Sequence, residues 1–268
     1  MPPGAGNGTG NGTGNGLAPD LDWLEGGVPF APAYGDSYFS RAGGPQGGLA
    51  ESRHVFLAGT GLPERFLGRG TFTVAELGFG TGLNFLATLA ALAESLAEAP
   101  GAPAGPRLTY VGFERHPLSR AQMARALAPF ADLAAFADAL LSRWAPAAGW
   151  QRIEMAGAEL WLAVGDANAL VPELARRAGL GPVDAWYLDG FSPARNPELW
   201  SGDLLRAVFA ATAPGGRFAT YAAAGRVRRA LEAAGFRVER RKGFAAKREM
   251  LAGTKLDSSK NLAISVRF

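Results

Sequence analysis

TVAELGFGTGLNFL, residues Thr73 to Leu86, joins three local signals in fourteen positions. A β-prone run (Val74, Ala75, Leu77) is followed by Gly78, Gly80 and Gly82, and an apolar Ala/Leu-rich helical pattern begins directly behind them. Strand, tight glycine turn and helix are how an α/β protein opens a nucleotide pocket. Without β-carbons the turn reaches positive φ and its amides come close to a ligand. Glu76 stands just before the turn, where its carboxylate is expected to point toward whatever the loop holds. The spacing separates the cofactors. A dinucleotide fingerprint needs G-x-G-x-x-G, and Leu83 occupies the place of its last glycine. G-x-G-x-G with an acid two places upstream suits S-adenosylmethionine, which carries positive ammonium and sulfonium groups and has no pyrophosphate to seat on a helix N-terminus. Taken alone, the motif is also compatible with a strand–helix turn that holds nothing.

The bulk numbers narrow the classes. A chain of 268 residues and 27.9 kDa is large enough to bury a substantial core. It has no cysteine, which excludes disulfides, thiolate metal sites and cysteine nucleophiles. His54 and His116 are the only histidines, so a histidine metal cluster or hydrolase triad is poorly supplied, and no metal is expected. The net charge of +3 and pI near 9.4 permit a polyanionic partner without requiring one. No apolar run reaches the ~18 residues of a membrane span, and the N-terminus lacks the regions of a signal peptide. The expectation is a cytoplasmic protein with no membrane partner.

Residues 1–16, MPPGAGNGTGNGTGNG, have no apolar face to offset ordering entropy and are expected to form a disordered tail. Residues 17–70 are expected to be an extension packed on the core. In this extension PFAPAYGDSYFS sets Phe30, Tyr34, Tyr38 and Phe39 among turn formers, and GGLAESRHVFLAG reads as a helix start. Tyr38 and Arg53 are the candidates here for reaching a pocket. The main domain spans 71–253. A buried helix over 83–97 leads through the loop EAPGAPAGPR to a strand, Leu108 to Glu114, that ends in an acid. In the doubly wound plan an acid there accepts hydrogen bonds from ribose hydroxyls; the other reading makes Glu114 a surface acid opposite Arg115. Residues 117–144 read as helical behind a Ser119 cap. Two strands around Ala156-Gly157 follow, the second ending in Asp166, which can bond an adenine amino group, cap the next helix, or both.

AWYLDGFSPARNPELW is the second informative stretch. Asp184 to Leu188 reads as a central strand that delivers Asp189 to the crevice outside the carboxyl strand ends, where the glycine turn also lies. Pro193 and Pro197 stiffen the loop, and Arg195 offers a cation beside it. The α/β alternation then continues to the strands FRVERRKGF and KREMLAG. Basic residues gather near the C-terminus (Arg226, Arg228, Arg229, Arg237, Arg240, Arg241, Lys242, Lys247, Arg248), as either a solvated face or a phosphate-binding surface. Residues 254–268, ending in NLAISVRF, are a tail or one more strand.

With these segments in order, the chain resembles the methyltransferase domain of the bacterial bifunctional tRNA wobble-uridine enzyme MnmC and its stand-alone relatives. PAYGDSYFS, GLAESRHVFLAG, AELGFGTGLNFL, GFERHPL, LWLAVGDA, AWYLDGFSPARNPELW, ATYAAAGRVRRALEAAGF and GFAAKREML carry the resemblance. It implies a Rossmann-like class I fold, with a mostly parallel twisted sheet and helices on both faces. It also implies S-adenosylmethionine-dependent methylation of the amine of 5-aminomethyl-(2-thio)uridine, read from the tRNA anticodon stem-loop. The sequence has no second dinucleotide fingerprint, so the flavin domain of the bifunctional relatives is not expected in this chain. The residues implied for the cofactor are Glu76, Gly78, Phe79, Gly80, Thr81, Gly82, Asn84, Glu114, Asp166, Ala167 and Asp189. Those implied for the substrate are Tyr38, Phe191, Pro193, Arg195, Tyr221, Lys247 and Arg248, with Phe191 and Pro193 shaping the pocket around the base. Asp189 is the catalytic candidate: an alkyl ammonium, which titrates near ~10.4 in lysine, must lose a proton before its nitrogen can accept a methyl group. The rival readings are a methyltransferase of the same fold with a small-molecule or protein acceptor, and a non-catalytic nucleotide- or RNA-binding module.

Overall fold

The computed structural model describes residues 17–98 and 105–257. The tail over 1–16, the loop over 99–104 and the segment NLAISVRF lie outside the described residues. Three short strands, β1 (Asp22–Leu24), β2 (Val28–Ala31) and β3 (Asp36–Ser37), form a small antiparallel sheet. Behind it runs one continuous helical stretch: α1 (Gly47–Glu51), a π-type segment (Ser52–Leu57) and α2 (Ala58–Thr60).

An eight-stranded sheet forms the body. Its strands in chain order are β4 (Thr71–Leu77), β5 (Arg107–Glu114), β6 (Gly149–Met155), β7 (Ala158–Val164), β8 (Val183–Leu188), β9 (Thr212–Thr220), β10 (Arg237–Lys242) and β11 (Glu249–Thr254). In space they lie β10-β11-β9-β8-β4-β5-β7-β6. The five central strands are parallel, and antiparallel pairs flank them at β6–β7, β9–β11 and β10–β11. The strand order reverses beside β4, so the carboxyl ends of β4 and β8 open a crevice at the switch point.

Alternation along the strands builds two apolar layers. From β4, Phe72 and Val74 face a layer with Phe85, Leu86 and Leu89 of α3 (Leu83–Glu98), whereas Ala75 and Leu77 face a layer with Leu204 and Val208 of α7 (Gly202–Ala211). The first layer is completed by α4 (Arg120–Leu127), α5 (Ala134–Leu141) and the helix over 47–60; the second by α6 (Ala167–Leu170) and α8 (Gly225–Ala234).

The stretch over 117–144, expected as one helix, is two. Ser119 caps α4 in a reciprocal box with Gln122, but α4 stops at Leu127 because Pro129 cannot continue it, and a single 3-10 turn leads into α5. The helix read over 83–97 is present as α3, buried through Leu92 and exposed on most positions beyond. The last strand runs to Thr254, one residue past the expected boundary.

Candidate active site

A cavity of about 760 Å³ opens over the carboxyl ends of β4, β5, β7 and β8. Its floor is the glycine turn. Gly78 and Gly80 have φ of 83° and 54°, and a β-carbon on Gly78 would lie 2.8 Å from the Cα of Gly190, so the turns after β4 and β8 touch through their backbones. Phe79, Thr81 and Asn84 also line the cavity. Gly82 does not: it faces the ring of Phe79 and Leu140, and its φ of 75° serves the packing of the turn. The side chain of Phe79 stacks on Trp144 at 5.6 Å and lies over Gly112, where a β-carbon would approach the ring to 2.4 Å.

Glu76 departs most from expectation. Strand alternation puts it on the same face as Phe72 and Val74, beneath α3, and it is 1% exposed and off the cavity wall. Its Oε1 accepts from Asn84 Nδ2 at 2.6 Å and its Oε2 from the Tyr110 hydroxyl at 2.7 Å. Burial, with Asp189 and Glu114 nearby, raises its pKa well above the usual carboxylate range despite the two hydrogen bonds. Glu76 therefore serves the site through Asn84. The same Asn84 Nδ2 donates to Asp189 Oδ2 at 2.8 Å, and Asn84 Oδ1 accepts from Ser52 Oγ at 2.5 Å.

On the wall beside the turn, the two oxygens of Glu114 accept from the backbone amides of Gly80 and His116, both at 2.8 Å. The carboxylate is thereby fixed with lone pairs left for a further donor. Asp166 caps α6 by accepting from Asn168 N at 2.9 Å; this bond and that from the Asn168 side chain hold its pKa low. Asp166 and Ala167 line the cavity as well, so capping and lining coexist.

Asp189 leaves the end of β8 and is partly buried. Burial and the negative charge of Glu51 push its pKa up to about 7, opposed by the Gly190 amide, Asn84 and Lys247. The opposite wall comes from the N-terminal extension. Phe191 stacks on Tyr34 with centroids 4.3 Å apart and meets Tyr38 edge-on at 5.3 Å, while Ser192 N donates to Asp36 Oδ2 at 3.1 Å. Tyr221 donates its hydroxyl to Gly190 O at 2.5 Å, and Lys247 Nζ sits 4.0 Å over its ring.

Among the substrate-side residues, Tyr38, Phe191, Tyr221 and Lys247 line the cavity; Pro193, Arg195 and Arg248 do not. Pro193 is buried in its own loop, the guanidinium of Arg195 lies against the Gly35 turn, and Arg248 is exposed beside the mouth. Arg53 also points elsewhere, pairing with Glu94 at 3.4 Å. Its neighbours Glu51 and Ser52 line the cavity instead, and sequence reading missed both. The signal available was the glycine pair before them. A β-carbon on Gly48 would lie 2.8 Å from the Phe39 ring, so the small residues mark a helix pressed against the site.

Comparison with known proteins then supplies a family. Residues 131–256 match the family described as S-adenosyl-L-methionine-dependent methyltransferase. This part of the chain is such a methyltransferase domain. The chain is also 43% identical over 252 residues to the tRNA 5-methylaminomethyl-2-thiouridine biosynthesis bifunctional protein MnmC of Aeromonas hydrophila, covering 91% of the chain and 36% of that protein. It is 47% identical over 239 residues to the protein of the same name from a Caulobacter species (strain K31), covering 87% and 38%. The chain thus spans little more than a third of the length of these curated relatives. The crystal structure of MnmC2 from Aquifex aeolicus shares the fold, with a TM-score of 0.66 and 22% identity over 90% of this chain and 72% of that one.

The cavity spans the methyltransferase domain and the glycine turn before it, and its features suit S-adenosylmethionine. A turn without β-carbons at Gly78 and Gly80 forms the floor, its Gly78 and Phe79 amides engaged by Phe113 O and its Gly80 amide by Glu114; a fixed carboxylate with spare lone pairs stands on the wall, and the turn carries no cationic residue. Among the described residues no helix is long and apolar enough to cross a membrane, and no acidic or histidine cluster is arranged to hold a metal ion.

Proposed function

We propose that the chain methylates the amine of 5-aminomethyl-(2-thio)uridine at the wobble position of tRNA, and does so in the cytoplasm. The observation that carries this reading is the Asp189 carboxylate, which stands between the glycine turn and the aromatic wall, held by Asn84 and with its pKa raised to about 7. The names of the relatives point to the same chemistry.

S-adenosylmethionine supplies, when bound, a methyl group activated on a sulfonium. Its holders in this chain are the turn at Gly78 to Thr81, where the missing β-carbons of Gly78 and Gly80 let it approach the backbone, the Glu114 carboxylate toward the ribose, and Asp166 with Ala167 toward the adenine. Tyr34, Tyr38 and Phe191 present aromatic surface for a splayed base. Asp189 orients the acceptor amine and takes its proton at Oδ1 or Oδ2. Against an alkyl ammonium near ~10.4, a carboxylate at about 7 leaves a gap of about 3 units, roughly 4–5 kcal/mol. An ordinary aspartate would leave about twice that. Burial, and after it Glu51, narrows the gap by about half. In this reading residues 17–70 supply Tyr34 and Tyr38 to the acceptor wall, and residues 71–254 supply the donor side together with Asp189 and Phe191.

The decisive assay incubates the chain with labelled S-adenosylmethionine and either unmodified or aminomethylated tRNA, then identifies the labelled nucleoside. Label in 5-methylaminomethyl-(2-thio)uridine from the aminomethylated tRNA alone is expected. Absence of label from that tRNA would remove the proposal.

A further inference from the structure

Glu51 has no part in the reading from sequence, yet it is the acid most enclosed at the acceptor end of the cavity. Its side chain is 10% exposed. Oε2 accepts from Ser40 N at 3.1 Å, which fixes the carboxylate, and Oε1 accepts from Lys247 Nζ at 2.7 Å. The same Nζ lies 4.0 Å from the centre of the Tyr221 ring. A carboxylate on one side and an aromatic face on the other make a receptor for a primary ammonium. Asp189 adjoins it closely enough for Glu51 and Lys247 both to bear on its proton affinity. The ammonium found there reaches in from outside: Lys247 is carried by the turn between β10 and β11, and its side chain is 45% exposed.

We infer that the space between Glu51, the Tyr221 ring and Asp189 is a binding site for a primary alkyl ammonium, and that Lys247 fills it until the acceptor's aminomethyl group takes its place. This rests on the proposed amine acceptor. It adds a capture step: Glu51 selects the charged form of the amine, the form that dominates at neutral pH, and hands it to the neighbouring Asp189 for loss of the proton. Lys247 is then a tethered stand-in for the substrate rather than a catalytic residue. The site also discriminates, since a hydroxyl or methyl in place of the ammonium would leave Glu51 without its partner once Lys247 is displaced.

The test uses the full chain loaded with S-adenosylmethionine and ethylammonium as the probe, with binding measured by ligand-observed NMR. Lys247→Met should bind ethylammonium at least tenfold more tightly than wild type, and Glu51→Gln in that background should abolish the gain. Ethanol, of the same size but uncharged, should show no difference among the variants. Tyr221→Leu, made in the Lys247→Met background, provides a second way to dismantle the site should Glu51→Gln fail to fold, as judged by its melting temperature and cofactor affinity. Equal ethylammonium binding by wild type and Lys247→Met, or a gain indifferent to both Glu51→Gln and Tyr221→Leu, would overturn the inference. In methylation of aminomethylated tRNA, Glu51→Gln should raise KM about tenfold with a much smaller change in kcat; a fall in kcat alone would also overturn it. Wild-type chain that fails to methylate this tRNA while Lys247→Met still gains ethylammonium sinks the proposed acceptor and leaves the ammonium site standing. Methylation without that gain sinks the ammonium site alone.

Discussion

Asp189 and Glu76 are two carboxylates bonded to one amide nitrogen, that of Asn84, and they occupy opposite sides of the boundary between core and cavity. Their proton affinities are raised for different ends. Asp189 must be ionised to accept a proton, so the rate of methyl transfer should rise with pH through about 7. The groups that bear on it are Glu51, Lys247, Asn84 and the Gly190 amide, with Glu76 and Tyr221 adjoining. Removing the negative charge in Glu51→Gln should shift that limb to lower pH, and kcat profiles of the two proteins would show it. Asp189→Asn should lower kcat on the order of 10²-fold or more while cofactor affinity, read by calorimetry, changes far less. Glu76, by contrast, is fully enclosed and favours its protonated form. The folded chain therefore holds this proton at pH values where the unfolded chain has released it, and the associated stability declines as pH rises above the ordinary carboxylate range. Glu76→Gln can keep both hydrogen bonds without a charge, so its melting temperature relative to wild type should climb with pH. Glu76→Leu strands Asn84 and Tyr110 and should cost about 1–3 kcal/mol for each group left unsatisfied.

At the level of elements, the turns after β4 and β8 are in backbone contact, and neither leaves room for a side chain at Gly78. Gly78→Ala combines a φ of 83° with a β-carbon 2.8 Å from Gly190, so it should abolish measurable S-adenosylmethionine binding and lower the melting temperature. Ser119→Ala offers the contrast. It removes one half of a capping box remote from the chemistry and should cost about 1 kcal/mol of stability, by denaturant melts, with turnover unchanged. These elements also mark what sequence reading can reach. The switch from strand to glycine turn to helix, and acids at successive strand ends, are plain because periodicity and strand-end position place them. Glu76 misleads because its distance along the chain from Gly78 is short, while the pleat turns its side chain toward α3. Glu51 is silent for a related reason: it stands in an amphipathic-looking helix start, and only contact with the turn between β10 and β11, almost two hundred residues away, encloses it. Long-range closeness of that kind leaves no period to read.

Across the molecule, the basic C-terminal residues divide by place. Lys242, Lys247 and Arg248 lie where β10 and β11 meet the mouth, and Arg226 and Arg229 open α8 at the same end of the sheet, whereas Arg237 lies at the far end of β10. Several of the rest are engaged locally: Arg228 with Glu232, Arg240 with Glu249 and Arg241 with Glu239. Exposed pairs of this kind contribute little to stability, but they reduce the charge on offer to a phosphate. Affinity for tRNA should fall steeply as salt rises, and Arg248→Glu should weaken it and flatten the slope of log K against log salt, whereas Arg237→Glu should do so far less. Filter binding across a salt series would separate the two. The donor side of the cavity belongs to the sheet, whereas Tyr34, Asp36, Tyr38 and Glu51 all precede the first strand of that sheet. The part of the acceptor wall that precedes the sheet is thus one contiguous stretch, completed by Phe191, Tyr221 and Lys247 from the loops of the sheet, and a lineage could retune the acceptor by changing that stretch while inheriting the donor side intact.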